Sequence, residues 1–301
     1  MFRQLTLLLL VALVAVAALT GCDPCRKLRK SKNLAERDSA AFCYYERKQY
    51  ESAAQIFDEL RGLYRGTDRA EKVNLYYAYC KYHLNELALA ALFFTEFVRS
   101  FPNSSQAEEA TWMIAQSHYH RSTSWELDQT DSQKAIEYLQ LYLQQYPRSK
   151  YAPEAEKQMA ELRDKLAYKT FKQADLYYRM RRYRSAIIAF QNLQVDYPDS
   201  KYRIEAAFKL YRCAVLYAQL SIPEKQVERY LEASNHYLRF IEKYPQSSYL
   251  REAETLYAYV QQELKRLGSP HASASQAAPP PPAEKPVRVK QPRHPRRLIE
   301  D

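Results

Sequence analysis

Read for its apolar and polar positions, the chain divides into three kinds of text. An unbroken apolar run from Leu5 to Ala18 opens it, a long middle of helical periodicity follows, and from Gly268 onward apolar positions give way to proline and charge. In the middle, alanine recurs with bulky residues four, seven and eleven positions on: Ala53-Phe57-Leu60-Tyr64, Ala90-Phe94-Phe97-Phe101, Ala135-Leu139-Tyr142-Tyr146, Ala186-Phe190-Leu193-Tyr197 and Ala233-Tyr237-Phe240-Tyr244. That spacing puts all four side chains of each set on one helical face. A second column, Ala41, Ala78 and Ala115, recurs every 37 residues, each with a tyrosine four on (Tyr45, Tyr82, Tyr119), and Ala174 with Tyr178 repeats the pair. The small residue lets two helices approach closely, and the ring fills the space beside it.

Between the columns lie stops. The final aromatic of the last four sets is followed at once by Pro102, Pro147, Pro198 or Pro245, with a serine two residues further on. Proline disfavours helix in the residue before it, so each helix ends there. The serines, with boxes such as Ser105 to Glu108 and Asp68 to Glu71, are set to accept the first free amide hydrogens of the next helix. One such hairpin cannot cover its own apolar face, whereas stacked neighbours share a continuous core. The pattern therefore predicts an all-α solenoid of about five helical pairs plus a C-terminal helix over residues 33–267. A polar insertion near Ser122 to Asp131, a long helix from about Pro153 to Arg181 and a link around Ser221 to Lys225 break the period. These predict an N-terminal and a C-terminal half.

The ends carry different information. Leu19-Thr20-Gly21-Cys22 closes the apolar run with small residues and a cysteine, an arrangement that resembles the lipobox of bacterial lipoproteins. The run is short for a bilayer span and lacks a stop-transfer pattern. This reading makes residues 1–21 a lipoprotein signal peptide, Cys22 the lipid attachment site, and residues 22–32 an acylated tether carrying Arg26, Lys27, Arg29, Lys30 and Lys32. Two or three acyl chains on one residue give a lasting anchor. Five cations beside it suit either solvent or anionic headgroups, at about 1 kcal/mol per Lys or Arg near such a surface. Residues 268–301, with Pro279 to Pro282 and a basic stretch, predict a disordered tail.

Composition then removes whole classes of chemistry. The four glycines, Gly21, Gly62, Gly66 and Gly268, form no phosphate-wrapping cluster, which excludes a Rossmann fingerprint or P-loop. With 27 tyrosines and few β-branched runs, helices are favoured over sheets. The net charge of +10 is concentrated towards the ends, and no nucleic-acid module accompanies it. His118 and His120 lie two apart on a helix and face away from each other, and the remaining histidines are isolated, so no metal site is expected. No Gly-x-Ser-x-Gly elbow or His-Glu-x-x-His occurs. The expectation is a protein with no catalytic residues, no cofactor and no metal. Cys25, Cys43, Cys80 and Cys213 are expected as buried free thiols, since the repeat-equivalent Cys43 and Cys80 sit on neighbouring helices whose axes are too far apart for most bridges.

The copies Tyr50-x-x-Ala53-x-x-x-Phe57 and Tyr183-x-x-Ala186-x-x-x-Phe190 resemble the tetratricopeptide repeat, over about Asn33 to Leu267. Together with the acylated N-terminus and the recurrent Tyr-Pro-x-Ser stop, especially Tyr197-Pro198-Asp199-Ser200-Lys201-Tyr202, the chain is similar to the BamD family of outer-membrane lipoproteins. The resemblance implies a non-enzymatic scaffold of the β-barrel assembly machinery, lipid-anchored on the periplasmic face of the outer membrane. Its implied partners are a POTRA-bearing barrel subunit, met by the C-terminal half, and unfolded outer-membrane protein precursors, met by the N-terminal groove. In a tetratricopeptide arrangement the first helix of each pair lines the concave face, which makes Phe42, Tyr45, Tyr79, Tyr82, Tyr119 and His120 candidates for that groove; packing between helices is the alternative for each. Asp23 after the acylated cysteine retains lipoproteins in the inner membrane of enteric bacteria, though not in all lineages. The other classes open to such a chain are a SusD-type glycan-binding lipoprotein and an adaptor of cell division or pilus assembly.

Overall fold

The computed structural model describes residues 24–268. The apolar leader, Cys22 and the tail beyond Gly268 lie outside the described residues. Among the described residues all regular structure is helical: α1 (Pro24–Arg29), α2 (Leu34–Glu46), α3 (Tyr50–Leu63), α4 (Arg69–His83), α5 (Leu87–Ser100), α6 (Ala107–Arg121), α7 (Thr130–Gln145), α8 (Ala152–Arg179), α9 (Tyr183–Asp196), α10 (Arg203–Gln219), α11 (Pro223–Lys243) and α12 (Leu250–Arg266). No helix among them is long and apolar enough to cross a membrane. The fold is a tetratricopeptide-like series of helical hairpins. The chain divides into two compact units between Thr170 and Phe171, inside α8.

The first unit holds the hairpins α2–α3, α4–α5 and α6–α7. Its interior is built on the alanine columns: Ala41, Ala78 and Ala115 from the first helices and Ala53, Ala90 and Ala135 from the second are all fully buried. Phe57, Phe94, Leu139 and Tyr142 fill the space between them. With no side chain beyond Cβ at the crossing points, the helices close enough for the rings to interlock.

Two kinds of turn alternate. Within hairpins the first helix ends on a residue in the left-handed region, Lys48 (φ 59°) or Asn85 (φ 59°). Its amide donates to the carbonyl three residues back, and the following amide donates five residues back: Lys48 to Tyr45 and Gln49 to Tyr44, then Asn85 to Tyr82 and Glu86 to Lys81. This is a Schellman closure, made here without glycine. Between hairpins the α3–α4 junction turns at Gly66 (φ 80°), and the proline stop operates at the two that follow, after α5 and after α7. Ser104 and Ser149 each accept on Oγ the backbone amide two residues on, at 3.0 and 3.1 Å. The expected boxes do not form, because helix α6 is entered through Gln106 and α4 through Asp68, both helical in φ and ψ and without a side-chain cap.

The third hairpin has no tight turn. Residues 122–129 form a loop closed on itself, with Thr123 Oγ1 donating to Asp128 O at 2.8 Å and Gln129 Nε2 to Ser124 O at 2.7 Å. Lysines from α8 clip it down: Lys165 Nζ donates to Thr123 O at 2.9 Å and Lys169 Nζ to Leu127 O at 2.6 Å. Trp125 lies edge-on against Tyr168, 5.0 Å between centroids.

The N-terminal segment departs from expectation. Residues 24–29 are helical rather than a loose tether, Leu28 packs on the first core, and Cys25 is bonded to Cys43 with Cα atoms 5.7 Å apart. Two of the four cysteines expected as free thiols are therefore a disulfide. The physical reason is that α1 folds back across α2, a juxtaposition that periodicity does not encode. Cys80 and Cys213 are free and buried, and burial pushes each thiol up to about 12.

The second unit, described by itself, contains the end of α8 with α9, then α10–α11 and α12. Ala174, Ala186, Ala206 and Ala233 are fully buried among Phe190, Leu193, Tyr211 and Tyr230. Arg181 (φ 57°) closes the first of its turns, with its own amide bonded to Tyr178 O and that of Arg182 to Tyr177 O. Ser200 and Ser247 repeat the serine contact at 3.2 Å. The link after α10 is shorter than expected, since Pro223 already occupies the first turn of α11, where its missing amide costs nothing.

Candidate binding cleft

The surface that stands out within the first unit is a cleft of about 890 Å³, formed by α4 with the end of α2 and the face of α6. Along α4 the wall is Lys72, Tyr76, Tyr79, Tyr82 and His83, a stripe at three- and four-residue spacing. Along α6 it is Glu109, Trp112, Met113 and Gln116 at the same spacing. Tyr45 closes the near end.

The rings form one connected series. Tyr45 meets Tyr76 edge-on at 4.8 Å, Tyr76 meets Tyr79 at 6.2 Å, and Tyr82 lies 6.1 Å from His120. His83 is stacked on Tyr50 at 4.3 Å, and burial together with Lys48 lowers its pKa. Each ring in such a series is held by its neighbours, so little torsional freedom remains to be lost when a ligand binds.

Charge is distributed unevenly. Glu109 accepts a hydrogen bond from Tyr79 at 2.6 Å, and Ser104 donates to Glu71 at 2.5 Å. Arg69 donates through Nε to Asp38 at 2.9 Å. Lys72 is different: its ammonium lies 4.7 Å over the Phe42 ring and 5.8 Å from that of Tyr76. Burial raises the pKa of Tyr45, of Tyr79, where Glu109 adds to the effect, and of Tyr82. These phenols are neutral at physiological pH and so keep the proton a hydrogen bond needs; Tyr79 donates its own to Glu109. Among the described residues, neither the Tyr76 nor the Tyr82 hydroxyl has a hydrogen-bond partner within the protein. No group of three or more His, Cys, Asp or Glu that could hold a metal ion occurs among the described residues.

Of the six residues expected to form a groove, Tyr45, Tyr79 and Tyr82 line this cleft. Phe42 lies beneath it, edge-on to Phe57 at 5.0 Å and to Tyr76 at 4.8 Å. His120 is exposed one turn beyond the Gln116 end, and Tyr119 is turned to α8, where its hydroxyl donates to Glu161 at 2.8 Å. Lys72, Tyr76, Trp112 and Gln116 were not among the expected residues. Extending the stripe from Tyr79 by three and four positions finds Lys72 and Tyr76, and the same step back from His120 finds Gln116 and Met113.

A family model described as YfiO, outer membrane lipoprotein, matches residues 38–230. The chain belongs to the YfiO family. The match begins on α2 and ends on α11, so it spans every residue that lines the cleft. A curated relative, the outer membrane protein assembly factor BamD of Vibrio cholerae, is 28% identical over 142 residues, which cover 44% of this chain and 59% of the relative. The chain thus spans somewhat under two thirds of that relative's length. Among solved structures, the TPR2AB-domain:pHSP90 complex of yeast Sti1 is similar at 16% identity and a TM-score of 0.34, over 76% of this chain and 98% of that one. The P58(IPK) TPR domain is similar at 15% identity and a TM-score of 0.36, over 87% and 70%.

Proposed function

We propose that this YfiO-family chain is a non-enzymatic, lipid-anchored scaffold of outer-membrane β-barrel protein assembly, tethered through Cys22 at the periplasmic face of the outer membrane. Its cleft on α4 and α6 takes an extended, aromatic-rich segment of an unfolded barrel precursor, and its second unit docks the POTRA-bearing barrel subunit. The observation that carries the reading is the aromatic cleft itself: fixed rings, neutral phenol donors and a cation, in a chain of a family described by its outer-membrane lipoproteins.

The chemistry suits such a ligand. An extended peptide exposes carbonyls that accept from phenols, and its aromatic side chains add to a series of rings already in edge-to-face contact. A volume of about 890 Å³ lies near the upper end of the roughly 300–1,000 Å³ usual for ligand pockets, enough for a short peptide stretch. The Vibrio cholerae relative, an outer membrane protein assembly factor, agrees with this reading.

The test is binding of a peptide taken from a barrel-precursor strand rich in aromatics, measured by calorimetry. Changing Tyr45 and Tyr82 together to alanine weakens capture by at least about tenfold, since interface aromatics commonly contribute 1–2 kcal/mol or more each. The melting temperature falls little, because both residues are only part-buried at the cleft wall. Unchanged affinity in the folded double variant removes the cleft from the proposal. Co-purification from solubilised membranes tests the partner: a barrel protein with POTRA domains supports the scaffold reading, whereas glycan retention or divisome proteins contradict it.

A further inference from the structure

The N-terminal segment lines no part of the cleft, yet it is fixed to the first unit at three points. Helix α1 has six residues, too few to be stable alone. It is held by the Cys25–Cys43 bond, by Leu28 against the first core, and by Arg29, whose Nη2 donates to Gln55 Oε1 at 3.1 Å. Around these fixed points Arg26, Lys27, Arg29, Lys30 and Lys32 are all exposed, and residues 24–32 contain no acidic residue. Among the described residues none of these five cations is engaged in an ion pair. Arg37 and Arg61, half-buried on the same unit, are by contrast paired with Glu59 and Glu96.

Cys22 stands three residues before Cys25. Three residues span at most roughly 11 Å, so an acyl group on Cys22 holds α1 at the depth of the headgroup layer. At physiological salt the screening length is about 8 Å, and cations so placed feel the charge of a lipid surface.

We infer that α1 is a folded, disulfide-clamped contact surface for phosphate-bearing lipid headgroups, which lays the first unit against the membrane instead of letting it swing on a tether. This inference rests on acylation at Cys22, as proposed above. The occupant is argued from charge and reach together: five uncompensated cations, a fixed helix, and an anchor point too close for any other surface to intervene.

The experiment uses full-length acylated protein reconstituted into vesicles of phosphatidylcholine alone or of equal parts phosphatidylcholine and phosphatidylglycerol. A membrane-impermeant amine reagent then labels lysines, and mass spectrometry reads Lys27, Lys30 and Lys32 against Lys134 on α7. On the anionic vesicles labelling of the three falls by at least roughly threefold relative to the neutral ones, and half-molar salt restores it, as expected of a screened surface contact. The Cys25→Ser/Cys43→Ser protein loses most of that protection; if it does not accumulate, mild reduction of the native protein replaces it. Equal labelling on both vesicles, with Cys22 acylated, overturns the headgroup contact while leaving the scaffold reading intact. Protection that persists without the disulfide overturns the clamp. An unmodified Cys22 overturns the anchoring and this inference with it.

Discussion

At the scale of single residues, the interior is a set of alanine-and-ring contacts in which the ring carries the energy. Phe57 and Phe190 are fully buried, and truncating either to alanine costs about 3–5 kcal/mol, a large share of the 5–15 kcal/mol typical of a domain. Chemical denaturation of each variant measures it. By contrast, Tyr119→Phe removes only the bond to Glu161 near the surface and costs no more than about 1 kcal/mol. His236 supplies a pH signature. It is buried on α11 and its pKa is lowered to about 4, by desolvation first and then by Arg239; Glu232 at 3.9 Å is mostly exposed and too distant to reverse this. A histidine with a lowered native pKa contributes stability that is complete above its ordinary value near 6.5 and is lost as pH falls towards 4. The native protein therefore weakens through that window, and His236→Leu flattens the acid limb of a melting-temperature profile. The buried columns at this scale were legible as periodicity, because a one-sided helix repeats its apolar face in sequence. Which tyrosines face the cleft was only partly legible: Tyr44, beside Tyr45, is the one buried in the core, and one position of rotation separates the two roles.

At the scale of elements, the turns decide the register. Lys48, Asn85 and Arg181 all sit at positive φ, where an L side chain costs about 1–2 kcal/mol relative to glycine's freedom. Lys48→Gly and Arg181→Gly accordingly raise stability by up to about 1 kcal/mol, whereas Asn85, a residue that tolerates this region, gains less; thermal unfolding of the three variants gives the order. The proline stops were legible since proline acts locally on its predecessor. The serine contacts were half legible: serine was the right residue, but its oxygen bonds the amide two positions on, before the helix proper, and the more familiar boxes stay unused. The disulfide was not legible at all. Residues 22–32 read as a tether because they lack apolar period, and only the folded path brings Cys25 to Cys43, 18 residues on. Closing a loop of that size contributes about 3 kcal/mol, so reduction lowers the melting temperature of the first unit.

At the scale of the molecule, two units with separate cores share one helix. Hydrogen exchange should report them separately: Phe190→Ala lowers protection across α9 to α11 and leaves α2 to α5 unchanged, as expected when stability is a sum over neighbouring contacts. A uniform loss of protection would show the units to be a single cooperative block. The disulfide also bears on how the chain reaches this state. Of the cysteines that could pair with Cys43, the nearest are Cys25 at 18 residues and Cys80 at 37, and closure entropy favours the nearer by only roughly threefold. What separates them is packing: Cys80 is fully buried on α4, and burial pushes its thiol up to about 12, so little thiolate remains to attack. Burial of Cys80 on α4 therefore protects the Cys25–Cys43 pairing, and weakening α4 should surface as scrambled isomers, read by mass spectrometry, before it surfaces as lost helix.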